Sequence, residues 1–187
     1  MTLPANTLTY QINSPIHELI SPDELAWSLE VLDVPFIAGA SPSPGFQTPP
    51  PAVVMSSLAS SDEARLRLAL IPLLLLHPEY SLHAVSALQS MSPVAHICFK
   101  CYYTAASLLQ QKYRSRLDAL VGHVDTLIDL FSTELGMTPG SDPDDGLRSL
   151  ADRQRTLTGQ YINWLGTYEH SVQRLLGTLE SRMQWRT

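Results

Sequence analysis

Two cysteines stand three residues apart beside a histidine, in the run His96-Ile97-Cys98-Phe99-Lys100-Cys101. Thiolate and imidazole groups at such spacings can bind zinc. On a helix, however, the two cysteines lie about 60° apart around the axis, whereas His96 lies about 160° from Cys98, so one helix cannot present all three groups to a metal ion. The alternative is that both cysteines pack in the core as small apolar residues. We favour buried cysteines and expect neither a metal site nor a cofactor.

Arg116 and His123 form the candidate catalytic pair, with six residues between them. If one helix contains both, their side chains share a face and lie about 10.5 Å apart along the axis. An arginine in such a pair would hold a phosphate group, and a histidine would transfer a proton. The alternative is an arginine and a histidine on an exposed helix surface. Because no nucleophile elbow, glycine-rich phosphate loop or His-Glu-x-x-His pattern is present, we favour a protein without chemistry of its own.

Charged residues are segregated along the chain, whose formal net charge is −6. Residues 1–64 and 118–147 each contain seven acidic and no basic residues, whereas 65–117 and 148–187 each contain six basic residues. Such blocks place faces of opposite sign on a folded body, which favours a protein partner or a homo-oligomer. The alternative is that the blocks pair within the chain. Because the chain is acidic overall, we do not expect it to bind nucleic acid.

Composition predicts one folded, cytoplasmic protein. Hydrophobic residues make up 44% of the 187 residues and charged residues 16%, which is apolar enough for a packed core. The longest apolar run, Leu68–Leu76, has nine residues and is shorter than the roughly 20 that span a bilayer, so we expect no membrane segment. Two cysteines are too few for a disulfide framework. A secretory signal begins with basic residues, but the first lysine or arginine of this chain is Arg65, so we do not expect export.

Prolines separate an N-terminal arm from the rest of the chain. Nine of the 14 prolines lie in the first 51 residues, and this composition favours extended or irregular backbone. Ser21 followed by proline begins a helix that is expected to end at about Leu32. We predict residues 1–51 as a Pro-rich N-terminal arm and linker and 52–187 as a helical domain. The arm begins with a short strand of alternating apolar residues, Leu8, Tyr10 and Ile12.

The remainder reads as an irregular all-α bundle of five or six helices, to which the strand-plus-helix arm is attached. One helix over Leu66–Leu76 is expected to bend at Pro72, because proline removes a helical hydrogen bond. A second, shorter helix follows it and ends before Ser92.

Two long helices complete the predicted bundle. The first begins at Ser92 and its apolar stripe continues as far as Phe131, unless Gly122 splits it. The last extends over about 147–183 with Tyr161 and Trp164 in its buried stripe. Gly159 could break this last helix near its first third.

Three segments resemble a family of small uncharacterised bacterial all-helical proteins that are encoded beside minimal nucleotidyltransferases. The likeness lies in residues 65–79, 102–106 and 163–170, and covers roughly residues 65–187. It implies a helical partner subunit of a two-gene system, as HEPN-type proteins are for nucleotidyltransferases.

The HEPN resemblance also implies the alternative function. Members of that helical RNase-like family carry an arginine and a histidine with four to six residues between them, as Arg116 and His123 are arranged here. The alternative is therefore a toxin-type, metal-independent RNase subunit paired with a nucleotidyltransferase. Toxins of this type usually have a tyrosine two residues after the histidine, and here Asp125 occupies that position.

Six small or polar residues share one face of the predicted last helix, opposite its apolar stripe. Glycine in a helix interior costs roughly 1 kcal/mol relative to alanine, so three glycines on a solvated face would lower stability without a gain. Small residues along one seam allow another backbone to approach closely. We predict that this face binds a protein partner or a second copy of the chain, the alternative being a helix that breaks at its first glycine. The residues are Gly159, Asn163, Gly166, His170, Gln173 and Gly177.

Overall fold

The regular structure is entirely helical in residues 20–35, 43–140 and 142–185, which a computed structural model describes. The predicted all-α class is confirmed, although these residues form more and shorter helices than the five or six expected. The predicted strand at Leu8, Tyr10 and Ile12 lies outside the described residues. In chain order the helices are α1 (Pro22–Val31), α2 (Pro51–Ser60), α3 (Ala64–Leu68), α4 (Leu70–Leu76), a 3₁₀ helix (Pro78–His83), α5 (Ala84–Leu88), α6 (Pro93–Lys112), α7 (Arg114–Val121), α8 (Pro143–Thr158) and α9 (Trp164–Gln184).

Helix α1 begins as predicted and packs onto the body of the protein. The Ser21 hydroxyl accepts a hydrogen bond from the backbone N–H of Glu24, and the Glu24 carboxylate accepts one from the N–H of Ser21, which forms a capping box. Leu25 and Leu29 are each 1% exposed and belong to the hydrophobic core. The division of the chain at residue 51 stays a prediction, but α1 shares the core of the helices that follow.

Helix α2 is a buried helix that the sequence pattern did not single out. Seven consecutive residues, 53–59, are buried, and α2 packs against α1, α3, α5 and α6. Since all of its sides are covered, α2 has no apolar stripe with helical spacing. Pro51 is its first residue, a position where proline is favoured because no helical hydrogen bond needs its missing N–H.

The bend expected at Pro72 is instead a break at Ala69. Helix α3 ends at Leu68 and α4 begins at Leu70. Pro72 is the third residue of α4, and in the first turn of a helix the backbone N–H groups have no partner within the helix. Proline is therefore tolerated in α4 without a kink.

Helix α6 forms the centre of the bundle and contacts α2, α4, α8 and α9. It begins as predicted, with the Ser92 hydroxyl accepting from the N–H of Ala95. Of the two predicted possibilities, the split at Gly122 is the one found: α7 ends at Val121, and Gly122 has φ +84°, a left-handed value that stops the helix.

Residues 123–140 follow an irregular path and are held in place by α6 side chains. The Gln110 amide donates to the carbonyl of Asp125 and accepts from the N–H of Leu127. The Tyr103 hydroxyl donates to the carbonyl of Ile128. These bonds supply the backbone partners that a helix would otherwise give, so Leu127 and Phe131 are buried without being helical.

The last predicted helix is two helices, with the break at Gly159. This residue ends α8 in the left-handed conformation, with φ +65°. Asn163 caps α9, since its side-chain Oδ1 accepts from the N–H of Gly166 at 3.0 Å. Tyr161 falls in the connection and is 94% exposed, which corrects its expected place in the buried stripe.

No single helix in the described ranges is long and apolar enough to span a membrane, whereas the segments Ala64–Leu76 and Pro78–Leu88, bent by 114° at their junction, meet the length and composition requirement only as a pair.

Candidate binding site

A cavity of about 440 Å³ lies where the end of α2, the start of α6, the end of α8 and the start of α9 meet. Its wall combines buried residues with an exposed rim. We call it the Trp164 pocket and define it by six of its lining residues: Arg67, Val94, Tyr102, Gln154, Gln160 and Trp164.

The ends of α8 and α9 place Trp164 in this pocket. Gly159 stops α8, and Asn163 starts α9 four residues later, so Trp164 occupies the first position of α9. Gln160, in the connection, lines the pocket as well. The connection between α8 and α9 therefore passes the pocket at Gln160, and Tyr161 and Ile162 follow in it before Trp164.

The rim of the pocket contains apolar side chains that face solvent. Val94, in the first turn of α6, is 76% exposed and lines the pocket. In the adjoining connection Tyr161 is 94% and Ile162 is 43% exposed. Large exposed apolar side chains in and beside the wall of a cavity are characteristic of a binding surface.

The base of the pocket contains buried polar groups. Gln154 is 2% exposed, and its side-chain oxygen accepts from the hydroxyl of Tyr168. Trp164 is 6% exposed, and its indole nitrogen has no hydrogen-bond partner among the described residues. An unpaired buried donor costs about 1–3 kcal/mol, and because this nitrogen is itself buried, Trp164 presents ring surface to the pocket and no exposed N–H.

Arg67 supplies the positive charge of the pocket. Its Nη1 donates to the backbone carbonyls of Ser61 at 2.6 Å and Asp62 at 2.9 Å, which fixes the guanidinium beside the end of α2. Burial raises the pKa of the neighbouring Tyr102, and burial also raises the pKa of Cys98 to about 12, while the Arg67 charge opposes both shifts. At neutral pH Arg67 thus faces an uncharged phenol and an uncharged thiol.

The cysteine and histidine run holds no metal-type arrangement. The His96 ring nitrogen Nε2 lies 2.6 Å from the carbonyl of Leu88, and Cys101 is fully buried, with a pKa raised by burial to about 12. Within the described ranges no three His, Cys, Asp or Glu side chains are grouped so that they could hold a metal ion. Cys101 packs in the core as expected, whereas Cys98 is half-buried and lines the Trp164 pocket, which corrects the expectation that both cysteines are buried.

Arg116 and His123 are not brought together. Arg116 Nε donates to Glu180 at 2.8 Å and Nη1 donates to Gln173 at 3.2 Å, both on α9. His123 lies beyond the end of α7, and its Nδ1 is 3.1 Å from Arg114 Nη2. The condition for a common helix face, one helix that contains both residues, is not met, because Gly122 ends the helix before His123.

The predicted partner face is divided by the break between α8 and α9. Gly159 is a helix cap and Asn163 begins the next helix, so the two do not continue a face of α9. A contact within the chain explains the glycine at position 166, because a Cβ there would lie 2.5 Å from Asn163 Nδ2.

The remaining members of that face lie along α9 and are exposed, and Gln173 is engaged within the chain. Its Nε2 donates to the Tyr113 hydroxyl at 2.8 Å. Gly177 has open space where a Cβ would stand, and His170 is exposed. The expectation that the six residues form one continuous helix face is therefore wrong. Their role in binding a partner stays a prediction.

The charge blocks pair with one another within the chain. Lys112 contacts both Asp144 and Glu169, at 2.5 and 2.6 Å, and Arg182 contacts Asp33 at 2.6 Å. These pairs join a basic block to an acidic block or join two helices across the bundle. The intrachain alternative is confirmed for these residues.

Sequence reasoning missed the pocket because its members are scattered. Arg67 and Trp164 are separated by 97 positions, and Trp164 was placed in the buried stripe of one long helix. The available signal was local: glycine at 159 followed by asparagine at 163 is a helix stop followed by a helix start, and that pattern exposes the intervening residues.

Comparison with known proteins adds no relative: no protein-family model, curated protein or solved structure matches the chain. The residues of the Trp164 pocket are the basis for a functional proposal.

Proposed function

We propose that this protein is a non-catalytic helical interaction subunit, and that it binds a short segment of a protein partner at the Trp164 pocket. The observation that carries the proposal is a 440 Å³ cavity whose lining includes the exposed Val94, together with the exposed Tyr161 and Ile162 in the connection between its lining residues Gln160 and Trp164. Protein interfaces commonly combine an apolar contact area with a few buried polar anchors.

The chemistry of the rim favours a polypeptide over a compact metabolite. A small ligand would be held by the pocket itself and would leave the rim in water. A peptide that crosses the mouth could cover Val94 and the Tyr161–Ile162 connection while one of its side chains enters the cavity. Burying apolar rim area contributes roughly 25 cal/mol per Å² before the costs of association.

A selection from a displayed library of random 12-residue peptides tests the proposal. The affinities of the enriched peptides are then measured by fluorescence anisotropy for the unaltered protein and for two pocket variants, Val94→Asp and Trp164→Phe. We expect at least about tenfold weaker binding to each variant, because one places a charge on the apolar rim and the other removes an anchor.

Matched controls use the same substitutions outside the pocket. Val31→Asp alters another exposed valine, on α1, and Trp185→Phe alters an exposed tryptophan just beyond α9. Both should bind the peptides with unchanged affinity. Failure to enrich any peptide, or equal losses in pocket and control variants, would contradict the proposal.

A further inference from the structure

Arg67 differs from most other cations in the described residues in having no carboxylate partner there. Its guanidinium is held by the backbone carbonyls of Ser61 and Asp62 and makes no ion pair with a carboxylate in those ranges. By contrast, Arg65 pairs with Glu63 at 2.6 Å and Lys100 pairs with Glu134 at 2.5 Å. The fold thus fixes the Arg67 cation in the pocket wall without neutralising it.

None of the described pocket residues around Arg67 neutralises its positive charge through an ion pair. Tyr102 and Cys98, which line the same cavity, are uncharged at neutral pH, and burial raises the pKa of each still further above neutrality. Asp62 lines the cavity with an exposed side chain, but it forms no ion pair with Arg67 among the described contacts. Asp62 would repel a dianion more strongly than a monoanion.

The remaining polar groups of the pocket include hydrogen-bond donors. The Arg67 guanidinium is a fork of five N–H groups, of which Nη1 serves the two carbonyls, and the Tyr102 hydroxyl is a further hydrogen-bond partner of the guanidinium. A planar carboxylate matches a guanidinium fork in both charge and geometry. A neutral amide of the same size would lack the charge.

We infer that the partner segment presents an acidic side chain, Asp or Glu, to Arg67 in the Trp164 pocket. This inference rests on the proposed function and adds to it the chemistry that the pocket recognises. The acidic group enters the cavity beside Arg67, and the flanking residues of the segment cover Val94 and the Tyr161–Ile162 connection.

Two fluorescein-labelled mixtures of heptapeptides test this inference. One mixture is acetyl-X₃-Asp-X₃-amide and the other has Asn at the centre, where X is an equimolar choice of Ala, Val, Leu and Ser. Anisotropy titrations should give at least about tenfold tighter binding for the Asp mixture, since a charge-assisted hydrogen bond is replaced by a neutral one. The Arg67→Gln variant should remove this difference, whereas Arg65→Gln should retain it.

The outcomes separate this inference from the proposed function. Equal affinity of both mixtures, with binding still sensitive to Val94→Asp, would overturn the acidic preference and leave the peptide site intact. Absence of binding by either mixture up to 1 mM would overturn both. Free butyrate that competes as strongly as the Asp peptides would show that the pocket binds a small carboxylic acid. This result would contradict the inference that the carboxylate belongs to a peptide segment. The Arg67→Lys variant, which keeps a cation, should retain part of the preference.

Discussion

Arg116 and Glu180 form an ion pair that joins α7 to α9, with Nη2 and Oε1 2.7 Å apart. The Arg116 guanidinium also donates to Gln173, which lies about two turns before Glu180 on α9. Arg116 therefore has a structural role at a helix–helix contact, and the His123 ring contacts Arg114 instead.

Substitution of Arg116 or His123 by alanine should not change any activity toward RNA. In a cleavage assay without added metal, we expect the unaltered protein and both variants to leave RNA intact. Arg116→Ala should lower the free energy of unfolding by less than about 1 kcal/mol, because both partners of the ion pair are partly exposed. Cleavage by the unaltered protein that disappears in each folded variant would establish the nuclease alternative instead.

Alanine at Gly177 and at Gly166 should affect stability differently. At Gly177 a Cβ meets nothing within 4 Å, so Gly177→Ala should raise the free energy of unfolding by up to about 1 kcal/mol. At Gly166 the Cβ would displace the Asn163 side chain, and the loss of that helix cap costs about 1 kcal/mol. Urea unfolding of both variants checks the difference; equal gains would show that the Asn163 cap does not constrain residue 166.

Cys98 and Cys101 should react slowly with thiol reagents in the folded protein. Burial raises the pKa of each thiol from 9.0 to about 12, and only the thiolate is nucleophilic. We expect labelling of Cys101 with an alkylating reagent at pH 8 to require unfolding, so that its rate rises steeply with urea, whereas the half-buried Cys98 should react slowly because its thiol is protonated. Rapid labelling of Cys101 without urea would contradict its burial.

The same shifts predict a decrease of stability in alkali. The folded state retains both thiol protons to higher pH than the unfolded chain, whose thiols titrate near pH 9. The contribution of the cysteines to stability is therefore complete below pH 9 and is lost as pH rises towards 12. Unfolding midpoints measured from pH 8 to pH 11 should fall, and alanine at both positions should make this fall shallower. If the unfolding midpoint of the alanine variant falls as steeply with pH, the loss of stability in alkali arises from other groups.

Removal of α1 should destabilise the bundle. A chain that begins at residue 43 lacks Leu25 and Leu29, which are buried in the core, and also lacks Trp27, whose ring contacts Phe46 edge-on at 5.5 Å. A chain that begins at residue 20 retains all three and serves as the control. We expect a much lower thermal unfolding temperature for the shorter chain only. Equal temperatures would show that the N-terminal arm is separable from the helical domain.

Local signals in the sequence predicted the elements that depend on local bonds. Ser21 with Glu24 gave the start of α1, and Ser92 gave the start of α6, because a capping side chain bonds within its own turn. The extent of the helix after Ser92 was overestimated. Its apolar spacing persists as far as Phe131, yet side chains of α6 hold residues 125–128 in an irregular path.

The pocket depends on contacts between distant residues and could not be predicted in the same way. Arg67 lies on α3, whereas Gln154 and Trp164 lie on α8 and α9, and α6 contributes Val94 and Tyr102. Helical spacing identifies which residues share a face of one helix, but it does not say which helix ends meet. Gly159 left two possibilities open, and the broken helix is the one that the structure contains.

The most direct test of the peptide site follows the indole N–H signals in a ¹H–¹⁵N correlation spectrum. The chain has three tryptophans: Trp27 lies on α1, whereas Trp164 and Trp185 lie at opposite ends of α9. Each signal is assigned by its own substitution with phenylalanine. On titration with a peptide enriched in the selection, we predict that the Trp164 signal moves with saturation while those of Trp27 and Trp185 stay in place. A bound peptide that leaves the Trp164 signal unchanged, or that moves the other two instead, would contradict binding at the Trp164 pocket.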